Sequence, residues 1–137
     1  EIMGVSLVDM RVWKWLYDNP NTNEEQLKQK VIEIAKDVWN SYYAPVFGIK
    51  DQPILAIYSH MIDYPLYLSA YPLGHLIEFQ IAEYIKDKNL ADEMYRMCVQ
   101  GRLTPEIWMT GAVGNKLSAE PLLKAAQNAV KQIKNKS

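Results

Sequence analysis

Cysteine is all but missing from this chain. Cys98 stands alone, so no internal disulfide can form, and its setting in the helical pattern DEMYRMCVQ marks it as a small buried apolar residue. Histidine is nearly as scarce. The two present, His60 and His75, belong to no His-Glu-x-x-His pattern; HLIEF at 75–79 has a His and a Glu three apart but lacks the second His. A zinc site takes three or four ligands, so this chain is expected to bind no metal by itself. A phosphate loop is missing too, because GAVGNKLS has the glycines but not the Gly-Lys-Ser/Thr order. No apolar run reaches the roughly 18–20 residues of a membrane span, which excludes a transmembrane role for this stretch. Charge is close to balanced, at net −1, and gives no reason to expect nucleic acid as a partner. Alternating strand patterns, internal repeats and low-complexity tracts are absent as well.

What is there is helical. With 49% hydrophobic and 23% charged residues, the 137 residues suffice for one globular domain spanning 1–137. Residues 2–18 place Val5, Val8, Val12, Trp15 and Leu16 on one stripe, broadened by Leu7 and Met10, and Asn19-Pro20 ends the run. Thr22 and Glu25 match a capping box for the next helix, whose stripe is Leu27, Val31, Ile34, Val38 and Tyr42, stopped by Ala44-Pro45 and followed by the loop VFGIKDQ. Pro53 suits the first turn of a short helix, PILAIYSHMI, and Asp63 is a candidate cap.

From Pro65 to about Lys86 the chain is apolar on nearly every face, which predicts a helix in the middle of the fold. Pro72 inside it predicts a kink near 68–71 or a break into two helices. Asn89 opens a helix that Gly101 closes. Thr104-Pro105-Glu106 starts another, broken by Gly111 and Gly114. Ser118 caps the last one, with Leu122, Leu123, Ala126 and Val130 as its apolar side. The fold class is all-α, with about six or seven helices around a central, proline-kinked apolar helix. The four tryptophans are packing residues.

The start of the chain, EIMGVSLVDMRVWKWLY, lies inside an apolar helical pattern without a starting methionine, a cap or a polar lead-in. We expect a piece of a longer polypeptide, with a cleaved propeptide or a trimmed end as the alternative. The first residues lack a basic segment followed by an apolar one, so any targeting signal is expected upstream, and the residues present name no compartment.

Chemistry concentrates in YSHMIDYPLYLSAYPLGH, residues 58–75, which holds both histidines and four tyrosines. In a continuous helix over 64–78, Tyr64, Tyr67, Tyr71, His75 and Glu78 would share a face. A phenol is a neutral donor at neutral pH, and two of them one turn apart can hold a carbonyl oxygen as it gains negative charge. A sharp turn at Asp63-Tyr64-Pro65 would fold His60 toward the same place. Packing is the alternative for such a tyrosine stripe. Glu78 and Glu83 need partners if buried. Ser59 beside His60 makes a poor nucleophile–base pair, since helix neighbours point apart.

YSHMIDYPLYLSAYPLGHLIEFQIAEYI resembles the C-terminal part of zinc oligopeptidases of the thimet oligopeptidase/oligoendopeptidase F family. DVWNSYYAPVFGIKDQ before it, and GRLTPEIWM and AVGNKLSAEPLLKAA after it, extend the likeness over nearly the whole chain. The resemblance implies a largely helical metallopeptidase. Its zinc would be bound by the remainder of the polypeptide, which is absent here, and this chain would hold no zinc and cut no peptide alone. It implies that His60, Tyr67 and Tyr71 are catalytic, that Tyr64 and His75 contact substrate, and that Gly74 completes the pattern. One branch of the family spaces its tyrosines four apart, as Tyr67 and Tyr71 are; the other spaces them seven apart, as Tyr64 and Tyr71 are. The expected partners are the rest of the polypeptide, a peptide substrate and, through an apolar surface left by truncation, a second copy. The rival expectation is a non-catalytic helical interaction module in a relative that has lost activity.

Overall fold

The computed structural model describes residues 1–135, and every regular element among them is helical: eight α-helices and two 3-10 turns. The chain is all-α. Its contacts divide it into two compact units, Glu1–Pro72 and Leu73–Ser137.

In the first unit, α1 (Ile2–Asp18) buries Gly4, Val5, Ser6, Val8, Asp9 and Val12. Met10, expected on the inner stripe, is exposed; two polar residues, Ser6 and Asp9, lie inside instead. The Asn19 side chain closes the helix by donating to the Trp15 carbonyl at 2.9 Å, one residue before Pro20. The second helix, α2 (Glu24–Tyr42), carries its capping box one residue later than Thr22 and Glu25 predict. Asn23 Oδ1 accepts from Gln26 N at 2.9 Å and Gln26 Oε1 accepts from Asn23 N at 3.0 Å. Asn is as good an N-cap as Thr, and the Thr22 hydroxyl braces the box by donating to Gln26 Oε1.

Ile34, Ala35 and Val38 of α2 meet Val5, Val8 and Val12 in one cluster with Leu55, Met61 and Leu68. Tyr43, stacked on Trp39 at 5.3 Å between ring centroids, packs on this cluster; Tyr42 is exposed. The burial of Ala35 shifts the inner stripe by one position, so the residues four and eight further on, Trp39 and Tyr43, continue it. Ala44-Pro45 ends α2 and also begins a short α3 (Ala44–Phe47), closed by Gly48 with φ 71.

Residues 53–71 are not the two helices expected. They form a 3-10 turn (Ile54–Ala56), one turn of helix α4 (His60–Asp63), and a second 3-10 turn (Tyr67–Ser69) before α5 (Ala70–Ile85). Asp63 ends α4 rather than capping the next helix. The break between Tyr64 and Ser69 leaves Pro72 in the first turn of α5, where a missing N–H costs no hydrogen bond and nothing need kink.

In the second unit, α5 buries only Gln80, while Ile77, Ile81, Tyr84 and Ile85 pack half-buried on a small cluster of Met97, Met109, Ala112 and Val113. Glu78 and Glu83 are exposed, so burial does not require their partners, His75 and Lys124. The α6 helix (Leu90–Cys98) starts on Asn89, whose Oδ1 accepts from Ala91 N and Asp92 N, and Gly101 follows it with φ 74. Met97 takes the inward place expected of Cys98, which is exposed. Thr104 and Pro105 begin α7 (Pro105–Val113). Gly114, with φ 76, ends it; Gly111 does not break it and instead lies against the Gln100 side chain. Arg96 reaches across to donate to the Gly111 and Ala112 carbonyls, placing a cation at the negative end of α7. The last helix, α8 (Glu120–Lys134), begins where Ser118 Oγ accepts from Glu120 N at 3.1 Å, and it buries no residue.

Candidate functional site

The broken stretch 60–71 brings four of the five candidate residues together. His60 opens α4, Tyr64 follows that helix, Tyr67 opens the second 3-10 turn and Tyr71 lies in the first turn of α5. The His60 and Tyr67 rings stack at 5.7 Å with planes 21° apart. Tyr64 sits 6.0 Å from each of them. Tyr67 and Tyr71 meet edge to face at 5.5 Å, and their hydroxyl oxygens are 3.2 Å apart. The two phenols are 45% and 46% exposed, so a ligand can reach both. The fifth candidate, His75, lies in the second unit, where its Nδ1 stands 3.1 Å from Glu78 Oε2.

A single helix over 64–78 is not what gathers the tyrosines. The chain turns back between Tyr64 and Tyr67, with Tyr67 N donating to Tyr64 O at 3.1 Å. Leu66, inside that turn, has φ 62, a left-handed conformation that side-chained residues seldom adopt. Tyr64 reaches Tyr71 only by way of Tyr67, so the pair four apart in sequence is the one whose hydroxyls touch.

Tyr71 donates to the Tyr67 oxygen. That bond, followed by repulsion between the two phenolates and slight burial, holds the Tyr71 phenol above the ordinary tyrosine value. The Tyr67 hydrogen is left for a third partner. Tyr58, the remaining tyrosine of the stretch, is occupied: its hydroxyl donates to Glu1 Oε1 at 3.0 Å, which raises its phenol as well.

Three residues of α1 that sequence reasoning did not single out for the site hold this segment. Trp13 Nε1 donates to the Met61 carbonyl at 2.7 Å. Ser6 Oγ lies 2.7 Å from the Leu68 carbonyl and 2.7 Å from the Ile2 carbonyl. Asp9, 0% exposed, accepts from Leu66 N and Leu68 N, one at each carboxylate oxygen, both at 3.3 Å. Burial pushes the Asp9 carboxyl above the ordinary carboxylate value, and the two backbone N–H groups pull it partly back. The sequence does carry a signal for Asp9. It lies four after Val5 and three before Val12, so an acid stands in the centre of an apolar stripe.

A hollow of ≈ 440 Å³ at the α1–α2 turn, lined by Trp15, Asp18, Asn19 and Gln26 among others, is less suited to chemistry. Its one carboxylate, Asp18, already pairs with Lys14.

No family model, no curated protein and no solved structure matches this chain. Among the described residues, no group of three or more His, Cys, Asp or Glu side chains could hold a metal ion. His60 stands among phenols and His75 beside a single carboxylate, so these donors do not fit the zinc that the family resemblance implies. Among the described residues, no helix is long and apolar enough to cross a membrane.

Proposed function

We propose that this chain is the C-terminal portion of a zinc-dependent oligopeptidase-like protein, in which it forms one wall of the cleft and supplies hydrogen-bond donors for peptide-bond hydrolysis. The observation that carries the reading is the exposed Tyr67–Tyr71 hydroxyl pair at 3.2 Å with the His60 ring stacked beside it. A peptide carbonyl oxygen arriving at the pair would accept first from Tyr67, whose hydrogen is free. As the oxygen gains charge it would also draw the Tyr71 hydrogen away from Tyr67. Both bonds strengthen as charge develops, which is the property that lowers a barrier rather than merely binding substrate. His60 would hold the peptide through whichever ring nitrogen faces it, and Tyr64, tilted against the same imidazole, would widen the binding face. A substrate contact for His75, which lies in the second unit, rests on the family resemblance alone. The zinc belongs to the remainder of the polypeptide, and no step assigned to these residues runs through it.

The test is kcat/KM of the full-length polypeptide on short peptides, wild type against Tyr71→Phe, which removes one hydroxyl and keeps the ring. The expected loss is about 10²–10³, the usual cost of an oxyanion donor, with an unchanged melting midpoint. Undiminished turnover returns the tyrosines to packing.

One observation favours a second reading, a non-catalytic interaction module. Tyr64, Tyr67 and Tyr71 are exposed together, and tyrosine is a common interface residue. That reading expects no turnover from the full-length polypeptide. A second copy of the chain could cover the exposed apolar side chains, and sedimentation of the isolated chain over a range of concentrations would reveal it.

A further inference from the structure

Leu66 is the least comfortable residue of the site. A left-handed leucine persists only where its surroundings over-determine it. Here the determinants come from α1. Asp9 takes the N–H of Leu66 and the N–H of Leu68, and Ser6 stands at the Leu68 carbonyl. Tyr67 lies between two amides held by one carboxylate. Leu68 has both of its backbone polar groups engaged by α1, and its side chain is buried in the core. Asp9 and Ser6 are three apart on one helix, so they face the segment together.

Stability alone does not explain an acid here. Asp9 is fully buried without a cation, and an apolar residue of its size would avoid the desolvation of a charge. What the carboxylate contributes is geometry: two acceptor oxygens, each fixing one amide of a turn that the chain would not otherwise take.

We infer that Asp9 and Ser6 form a positioning clamp that holds the 66–68 backbone so that Tyr67 presents its hydroxyl beside Tyr71. The inference rests on the proposed role of the tyrosine pair. Neither clamp residue touches substrate; both act through Tyr67.

The experiment is Asp9→Asn in this chain, followed by NMR. Asparagine keeps the shape and one acceptor oxygen but turns an NH₂ toward an amide donor. Three changes are expected. The Leu66 and Leu68 amides exchange faster by about tenfold or more, since a lost buried hydrogen bond frees them. The ring-to-ring contacts between Tyr67 and Tyr71 vanish. The Tyr71 phenol, followed by carbon NMR of ζ-labelled tyrosine, returns to the ordinary tyrosine value, as it does in Tyr67→Phe. The Ala35 and Val38 amides of α2 stay protected, which separates a lost clamp from a lost fold. Unchanged ring contacts and an unchanged Tyr71 titration would overturn the clamp.

Should Asp9→Asn unfold the chain, Ser6→Ala takes its place. It releases the Leu68 carbonyl, and an unaltered Tyr71 titration there also overturns the clamp. In the full-length polypeptide, Asp9→Asn should lower kcat as far as Tyr67→Phe does while changing KM much less, and the two substitutions together should cost little more than either. A scattered tyrosine pair with full turnover would leave the clamp standing and end the peptide-hydrolysis reading. An intact pair with lost turnover would end the clamp.

Discussion

α1 and α8 are helices of similar length, 17 and 15 residues, with opposite relations to their surroundings. The first buries six residues, including an acid and a serine. The last buries none, although Leu123 and Val130 lie on its apolar side. An amphipathic pattern therefore states which face of a helix would be buried, and not whether anything covers it. The difference also sorts the polar residues. On α8 they lie at the surface, while on α1 two of them are enclosed and occupied with backbone groups of a distant segment. The helix that is covered is the one that shapes the candidate site.

The largest expected effect breaks the comparison at its core. Val8→Asp would put a charge with no partner into the first cluster and should cost on the order of 4 kcal/mol, unfolding Glu1–Pro72. Leu123→Asp on α8, at a side chain already 58% exposed, should change stability by no more than about 0.5 kcal/mol. Urea unfolding followed by circular dichroism measures both; equal losses would erase the distinction between the two helices.

Two glycines sharpen it with opposite signs. A Cβ on Gly4 of α1 would stand 2.8 Å from two Tyr43 ring carbons, and that ring is held in its stack on Trp39. Gly4→Ala should cost about 1–3 kcal/mol by overpacking, more than the helix gains from alanine. Gly74 of α5 has open space around it, so Gly74→Ala should stabilise by about 0.5–1 kcal/mol. Thermal midpoints moving in opposite directions are the expected result.

The smallest effect is on pH dependence. The folded-state Asp9 carboxyl lies above its unfolded value of 3.8, so the folded chain holds that proton more tightly. The resulting contribution to stability is fully present below the unfolded value and is lost as pH rises through the folded one. Urea midpoints from acid to neutrality should carry this downward component in the wild type, and Asp9→Asn should remove it. An identical profile in the variant would mean that Asp9 titrates as an exposed acid does.

Much of the helical layout was legible because its signals are local. Asn19 and Pro20 end α1, Asn89 caps α6, Gly101 follows α6, Thr104 and Pro105 begin α7 and Gly114 closes it. Each acts through hydrogen bonds within a turn or two, so the neighbouring residues suffice to read them. The errors at Thr22, Asp63 and Gly111 were also local. At each position two adjacent residues, or two compatible backbone states, were nearly equivalent, and the surrounding fold chose between them. The tyrosines were found for their chemistry. A continuous helix over 64–78 would put them on one face, yet they meet through a turn.

The sequence by itself determined the all-helical class, most helix ends, and the gathering of donor side chains into residues 58–75. The tertiary structure alone decided that α8 buries no residue, that Cys98 faces outward, and where the chain breaks, between Tyr64 and Ser69, so as to bring the Tyr67 and Tyr71 hydroxyls together. The physical reason is range. Caps and turns are satisfied by neighbours, whereas the bonds from Leu66 and Leu68 to Asp9 join residues 57 and 59 positions apart. A buried carboxylate can shape a turn only after the helix that carries it has found its place.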